Sequence, residues 1–407
     1  MKIWNRLIAA GWLTLGALTA IAWPMAAQAG GLYLYEIGTS DLGFAGAGTA
    51  ARAEDASTVY ANPAGMTRLA GNQMTLGGQA LYGKAEYQLD GRGLLAGSSP
   101  GNVIGWLPAA SAFYSYSASD RLKFGIGAFG NFGLALDFGD QWAGRNLVTD
   151  TAVMALTVLP AVAYRLDDQW SLGGAVAANY GIMKLKRVAV VGGGTREQDD
   201  RDWAIAARLG VMYEPSKTTR FGLVWNSEAE LHFNVDATVT GLFGRTHTLP
   251  FGVNMPMPQQ LMGSAYHRVN DRWAIMGNLG WQDWSRFGNT TIETNAGVTT
   301  TSLQLKDTWH AAFGAQYTLN AETKLNMGVA YDTSFYKNQS QTSFAAPNGD
   351  TWRFGAGVQY AMSPKSDLGV ALEYARSQSS SDPSALISGR YDHPSMFFMA
   401  VNYNHRF

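Results

Sequence analysis

Beyond residue 29 the sequence holds no run of about 20 apolar residues, the length a membrane-crossing helix needs, yet apolar side chains recur at every second position in segment after segment. From Glu228 to Thr240, one face carries Ala229, Leu231, Phe233, Val235, Ala237 and Val239, and the other carries Glu228, Glu230, His232, Asn234 and Asp236. The same spacing runs through Trp203–Tyr213, Trp273–Trp281, Leu325–Tyr331, Trp352–Tyr360 and Leu368–Tyr374. Successive side chains of a strand point to opposite faces, so this period predicts an all-β chain of amphipathic strands with almost no helix.

Soluble sandwiches alternate as well, so the connections decide the class. Short polar turns, each led by a tyrosine, fall at Tyr116–Asp120, Tyr164–Asp168, Tyr213–Lys217, Tyr266–Asp271, Tyr317–Ala321 and Tyr360–Pro364, and the chain ends four residues after Tyr403. These tyrosines are 43 to 53 residues apart, room for two strands with one long and one short connection. Outer-membrane barrels have that habit: short periplasmic turns, longer external loops and interfacial aromatic girdles. Six short turns join seven hairpins, which predicts a 14-stranded antiparallel transmembrane β-barrel, an even number as bacterial single-chain barrels require. The turn tyrosines then form the periplasmic girdle, and Trp203 and Trp273 take girdle or lipid-facing positions. In the last strand Phe397, Met399, Val401, Tyr403 and Phe407 share a face, with Asn402, Asn404 and Arg406 opposite. Its terminal aromatic resembles the signal read by the barrel-assembly machinery.

Composition agrees. Only 15% of residues are charged, 46% are apolar, 30 Lys and Arg stand against 31 Asp and Glu, and there is no cysteine. A nucleic-acid binder lacks its basic excess here, a disulfide scaffold lacks its cysteines, and a disordered chain would be less apolar. A mean hydropathy of -0.10 fits strands divided between lipid on one side and a polar lumen on the other.

The N-terminus departs from the pattern. Lys2 and Arg6 precede the apolar stretch Leu7–Trp23, and Ala27-Gln28-Ala29 offers a cleavage site, so residues 1–29 are expected to be a signal peptide rather than an anchor. Residues 30–70 are rich in Gly and Ala without sustained alternation, with a short helix expected near Ala47–Thr58 and a turn at Asn62-Pro63-Ala64, where proline constrains itself and its predecessor. Pattern alone leaves open whether this segment is a periplasmic tail or folds into the lumen. The barrel is expected over 71–407.

Leu42-Gly43-Phe44-Ala45-Gly46-Ala47-Gly48 and Glu54-Asp55-Ala56-Ser57-Thr58-Val59-Tyr60-Ala61-Asn62-Pro63-Ala64-Gly65-Met66 are similar to the N-terminal signature of the FadL/TodX family, outer-membrane transporters of long-chain fatty acids and other hydrophobic compounds. Asn131-Phe132-Gly133-Leu134, Trp142-Ala143-Gly144-Arg145, Ala163-Tyr164-Arg165-Leu166, Trp281-Gln282-Asp283-Trp284-Ser285 and Asp307-Thr308-Trp309 continue the resemblance along the mature chain. It implies a bacterial outer-membrane barrel whose N-terminal segment, with short helices, is a hatch inside the lumen. Asp55, Ser57, Asn62, Pro63 and Ala64 would then form the hatch motif. It further implies capture of a ligand by external loops and lateral exit into the membrane at an inward kink of the third strand. Here that strand is expected over about Leu122–Leu134, with Gly130, Asn131, Phe132 and Gly133 at the kink. Read without the family, Gly125, Gly127, Gly130 and Gly133 would more readily signify relief of crowding inside the barrel.

Leu242, Phe243, Leu249, Phe251, Val253 and Met255 make the segment 241–257 the most apolar external stretch, a capture surface or simply packing against neighbouring loops. Parity turns Arg208, His310 and Arg353 toward the lumen, where one of them could pair with a carboxylate head group or all could pair with other lumen charges. Fatty acids and aromatic or alkane hydrocarbons require similar tracks, so both remain as ligands. An outer-membrane lipase is disfavoured because a hydrolase needs a nucleophile, a base and an orienting group in mutual contact, and no spacing in the sequence sets such a group together, although parity also turns His232 inward. The histidines at 232, 247, 267, 310, 393 and 405 lack metal-ligand spacing, and Gly192-Gly193-Gly194-Thr195 lacks the ending of a phosphate cradle. No cofactor, metal or nucleic acid is expected. An open porin for hydrophilic solutes is the remaining alternative. A monomer among outer-membrane lipids, taking a hydrophobic small molecule, is the expected state.

Overall fold

The computed structural model describes residues 33, 35–189, 193–240, 246–294, 297–302 and 305–407. The expected signal peptide and the tip 192–194 lie wholly or partly outside them. The barrel is built from β1 (Gln73–Lys84), β2 (Gly105–Ser117), β3 (Leu122–Asp137), β4 (Asp150–Arg165), β5 (Trp170–Val188), β6 (Thr195–Tyr213) and β7 (Thr219–Asn226), followed by β8 (Gln260–Arg268), β9 (Trp273–Gln282), β10 (Thr308–Thr318), β11 (Thr323–Asp332), β12 (Thr351–Ser363), β13 (Ser366–Ser377) and β14 (Ser395–Arg406). Each strand pairs antiparallel with its sequence neighbours, and β14 pairs with β1 from Gln73↔Arg406 to Lys84↔Ser395, which closes the sheet. Closure removes the free edges that lipid would leave unsatisfied.

All six tyrosine-led turns fall between strands on one rim. Tyr116, Tyr164 and Tyr360 face outward there, as a girdle requires. Tyr266 does not: it is buried in the lumen beneath the guanidinium of Arg220, whose carbon lies 3.5 Å from the ring centre. The girdle expectation is corrected at that position because Tyr266 shares the parity of Ser264, which also points inward, while Leu261 and Ala265 face out.

A second correction concerns Ala229–Thr240. Its alternation is real, but it pairs with Thr246–Met257 at the edge of a four-stranded sheet outside the barrel wall, which Asn289–Thr294 and Gly297–Ser302 complete. Leu231 and Phe233 are fully buried against protein rather than lipid, and His232, on the other face, is exposed to solvent rather than inward. Alternation reports two environments without naming them; here the apolar face covers the barrel mouth. Glu86–Leu89, Gly101–Asn102, Ser380–Asp382 and Gly389–Tyr391 form another small external sheet.

The segment before β1 lies inside the barrel. It consists of 3-10 turns at Ser40–Phe44 and Pro63–Arg68 and two one-turn helices, α1 (Thr49–Arg52) and α2 (Thr58–Ala61). The single helix expected near Ala47–Thr58 is thus divided. Ala53 takes a left-handed conformation, φ 42°, which ends α1, and the Asp55 carboxylate accepts from the Ser57 backbone N–H at 2.9 Å to restart the chain. That local bond competes with a continuous helix.

Candidate functional site

The hatch is held by bonds whose donors and acceptors come from both the plug and the wall. Asn62 is fully buried; its Nδ2 donates to the Ala50 carbonyl at 2.7 Å and to the Val211 carbonyl of β6 at 3.0 Å, while its Oδ1 accepts from Ala64 N at 3.1 Å. Pro63 opens the following 3-10 turn, where its missing N–H costs nothing. Asp55 also accepts from the Ser57 hydroxyl and sits 3.5 Å from the hydroxyls of Ser40 and Thr75. Arg52 pairs with Asp41; burial pushes the Asp41 carboxyl above its ordinary range while Arg52 pulls it back. The five residues expected at the hatch motif therefore lie together, Asp55, Ser57 and Asn62 between the end of α1 and the 3-10 turn that follows α2, Pro63 and Ala64 at the start of that turn.

Sequence reasoning missed the wall side of this contact. Arg220 donates to the carbonyls of Ala51 (2.6 Å) and Arg52, Arg165 to that of Thr67, Lys123 to that of Leu69 (3.2 Å), and Asn278 both donates to Gly46 O and accepts from Gly48 N (2.8 Å). At Gly173, Gly210, Gly222 and Gly328 a Cβ would overlap hatch backbone or the Asn62 amide. The readable signal was parity: Arg220 and Gly222 share a face of β7 opposite the lipid-facing Phe221 and Leu223.

The third strand carries an irregularity between Gly130 and Phe132. Against β4 the register steps from Gly130↔Leu156 to Phe132↔Ala155, so Asn131 is an extra residue, a bulge. Phe129 points inward before it and Phe132, Leu136 after it, so inward parity changes from odd to even across residue 131. The side chain of Asn131 lies outside the described residues. Against β2 the pairing runs only from Ser117↔Lys123 to Ala112↔Ala128, although β2 stays paired with β1 up to Gly105. Above Ala128 the wall between β2 and β3 has no ladder. Phe132 instead bridges to Tyr33 of the N-terminal segment, ring centres 5.4 Å apart. Gly133 lies above the bulge, close to β4 backbone at Val153.

Three cavities meet this segment. The largest, about 930 Å³ with its open mouth, is lined by Tyr33, Tyr35, Leu134, Trp284, Asp332 and Arg353. Two smaller ones, about 390 and 460 Å³ with their open mouths, share Tyr60, Asn226 and Arg208; the first also touches Tyr33, Phe129 and Leu159, the second Tyr35 and Met262. Over the mouth, Tyr87, Phe138, Trp142, Phe344 and Tyr391 form a buried aromatic cluster, with Phe138 and Trp142 stacked at 4.8 Å. Asp382 ties it down by accepting from Phe344 N at 2.9 Å and Ser384 N at 2.8 Å, and burial raises its carboxyl to about 6.

All three lumen cations point inward, in different company. Arg353 binds Glu36, Asp332 (2.5 Å) and Glu373 (3.0 Å), and Asp332 also binds His310 at 2.7 Å. Arg208 makes no ion pair among the described residues; it lies over the Tyr60 ring at 4.3 Å and donates to Ala61 O at 3.5 Å. Of the expected capture residues, Val253 and Met255 are buried in the external core on the strand Thr246–Met257. Leu242 and Phe243, and the side chains of Leu249 and Phe251, lie outside the described residues.

Comparison with known proteins agrees with this architecture. The "Long-chain fatty acid transport protein" of Escherichia coli strain K12 is 26% identical over 361 residues, 76% of this chain and 79% of that protein. "Outer membrane protein P1" of Haemophilus influenzae strain Rd is 26% identical over 367 residues, 77% of this chain and 79% of its own length. Among solved structures, a FadL homologue of Pseudomonas aeruginosa superposes with a TM-score of 0.77 at 17% identity, over 92% of this chain and all of that one. The toluene transporter TodX of P. putida gives 0.69 at 16%, over 90% and 99%. The family model described as "Outer membrane protein transport protein (OMPP1/FadL/TodX)" matches residues 19–407, and the chain belongs to that family of outer-membrane proteins.

Proposed function

We propose that this barrel moves apolar molecules, long-chain fatty acids or similar compounds, passively across the outer membrane. The external aromatic layer captures them, the hatch blocks the straight route to the periplasm, and the unladdered wall between β2 and β3 releases them sideways into the bilayer. The observation carrying this reading is the bulge at Asn131 with the loss of β2–β3 pairing above Ala128. Apolar surface gains about 0.8 kcal/mol per methylene buried, so capture and release into lipid need no energy source. The names of the relatives, one a fatty acid transporter and one a toluene transporter, support the substrate class. The reading assigns the chain no catalytic step, lipid as its surroundings, and the barrel-assembly machinery as its partner during insertion.

Deletion of Asn131 tests it. Without the extra residue Phe132 still points inward and pairing with β4 becomes continuous, so uptake of labelled oleate by cells should fall while the amount of heat-modifiable barrel is unchanged. Unchanged uptake would refute lateral exit. Uptake of aromatic or alkane hydrocarbons by the same route is the second reading. It is favoured by the three carboxylates around Arg353, which leave the largest cavity no spare cation for an acid head group.

A further inference from the structure

The three inward cations are not equivalent, and the difference bears on which ligand the lumen selects. Arg353 is outnumbered by Glu36, Asp332 and Glu373, and His310 is bound to Asp332. A carboxylate arriving there would meet net negative charge. Arg208 is the opposite case. Its neighbours are Tyr60, by ring face and hydroxyl, Tyr33 and one carbonyl at the 3.5 Å limit; its Nε is buried with no hydrogen-bond partner, and it makes no ion pair among the described residues.

A second donor beside it is also unspent. Arg208 of β6 is in register with Asn226 of β7, and Asn226 with Gln260 of β8, so the three stand in one inward row. Asn226 donates to Gln260 Oε1 at 3.3 Å, which leaves Gln260 Nε2 buried without a partner. Arg208 and Gln260 both line the 460 Å³ cavity. In the adjoining cavity Thr157 donates to Asn179 at 2.7 Å and Asn179 to Ala204 O at 3.2 Å, so these two groups are already partnered. Phe129, Leu159 and Met257 supply that cavity with an apolar wall that reaches β3 just below its bulge.

A buried guanidinium without a counter-ion is costly, whereas a carboxylate would take charge-assisted bonds from it. Resting on the transport reading above, we infer that Arg208 and Gln260 form a head-group site selecting amphiphiles with a carboxylate over neutral hydrocarbons, the tail lying along Phe129 and Leu159 toward the β2–β3 gap. Arg353, by contrast, belongs to the fixed charge network that holds the N-terminal segment through Glu36.

Binding to the purified full-length barrel tests this with oleate, methyl oleate and oleylamine, which share a tail and differ in head-group charge. The wild type should bind oleate roughly tenfold or more tighter than its methyl ester, and oleylamine weakest, as a charge-assisted pair predicts. Arg208→Met should abolish the preference and leave ester binding within about twofold, Arg208→Lys should retain most of it, and Gln260→Leu should reduce it partially. Heat-modifiable migration reports that each variant is assembled. Equal binding of oleate and ester by the wild type, or an equal loss of both in Arg208→Met, overturns the head-group site and leaves the transport reading standing. Binding of none of the three by the wild type overturns both.

Discussion

Replacing Asn62 with alanine should free the hatch without dismantling the barrel. The amide is fully buried and makes three bonds, two as donor to Ala50 O and Val211 O and one as acceptor from Ala64 N. Each partner is backbone, two within the hatch and one on the wall, so truncation leaves three groups short of a bond at about 1 kcal/mol each. The total, about 3 kcal/mol, corresponds to roughly a hundredfold shift between the ordered, docked hatch and its opened state, in which the bonds within it are lost as well. The wall loses only the Val211 contact, since β6 keeps its ladders to β5 and β7. Hydrogen exchange followed by mass spectrometry reads the result directly: peptides covering Thr49–Arg68 should exchange about 100 times faster in the variant, while those of β5 and β6 keep their protection. Equal protection of the hatch in both proteins would refute the argument that Asn62 orders the hatch and helps tie it to the wall. Loss of heat-modifiable migration would refute the independence of hatch and barrel.

Gly210→Val places side-chain atoms where the Asn62 amide sits, so it should raise hatch exchange as Asn62→Ala does, and the double variant should be no worse than the more severe single one. Arg353→Met strands Glu36, Asp332 and Glu373 in the lumen and should cost about 3–5 kcal/mol, read as a lower temperature of barrel unfolding on gels; adding Glu36→Gln should recover part of it, and no recovery would refute the pairing. Asp382, raised to about 6 by burial, holds its proton more tightly folded than unfolded. The stability it contributes is therefore complete below the ordinary carboxyl range and declines as pH rises through 6. Exchange of the external segments around Phe344 and Tyr391 should accordingly quicken, after correction for intrinsic rate, between about pH 4 and 7. Asp382→Asn should flatten that profile, and an unaltered profile would show that another group is responsible.

The strand number was legible because turns and alternation are local. A tyrosine before a short polar turn and a period of two need no tertiary context, and both rims of the barrel followed from them. The same locality explains the misses. Ala229–Thr240 alternates as well as any wall strand, but whether its apolar face meets lipid or protein depends on what covers it, and only the folded chain supplies that. Tyr266 precedes a turn like the other tyrosines and still points inward, because the strand between Leu261 and the turn has the opposite phase. Asn62 and Asp55 were visible as a motif, but the wall groups that hold the hatch, Val211 on Asn62, Arg220 on Ala51 and Asn278 on Gly48, are some 150 to 230 residues away from the residues they bind, beyond any spacing rule.

What the sequence determined by itself was the class of solvent on each side of the wall: a charge-poor chain alternating every second residue satisfies lipid and lumen at once only as a closed barrel. What the tertiary structure decided was how the inside is used. Closure brings β6, β7 and β8 side by side and sets Arg208 and Gln260 in one row, while the charges of β11, β12 and β13 gather around Glu36 instead. Which arginine is spent on the protein and which is left over depends on distances across the lumen, and a one-dimensional pattern contains none of them.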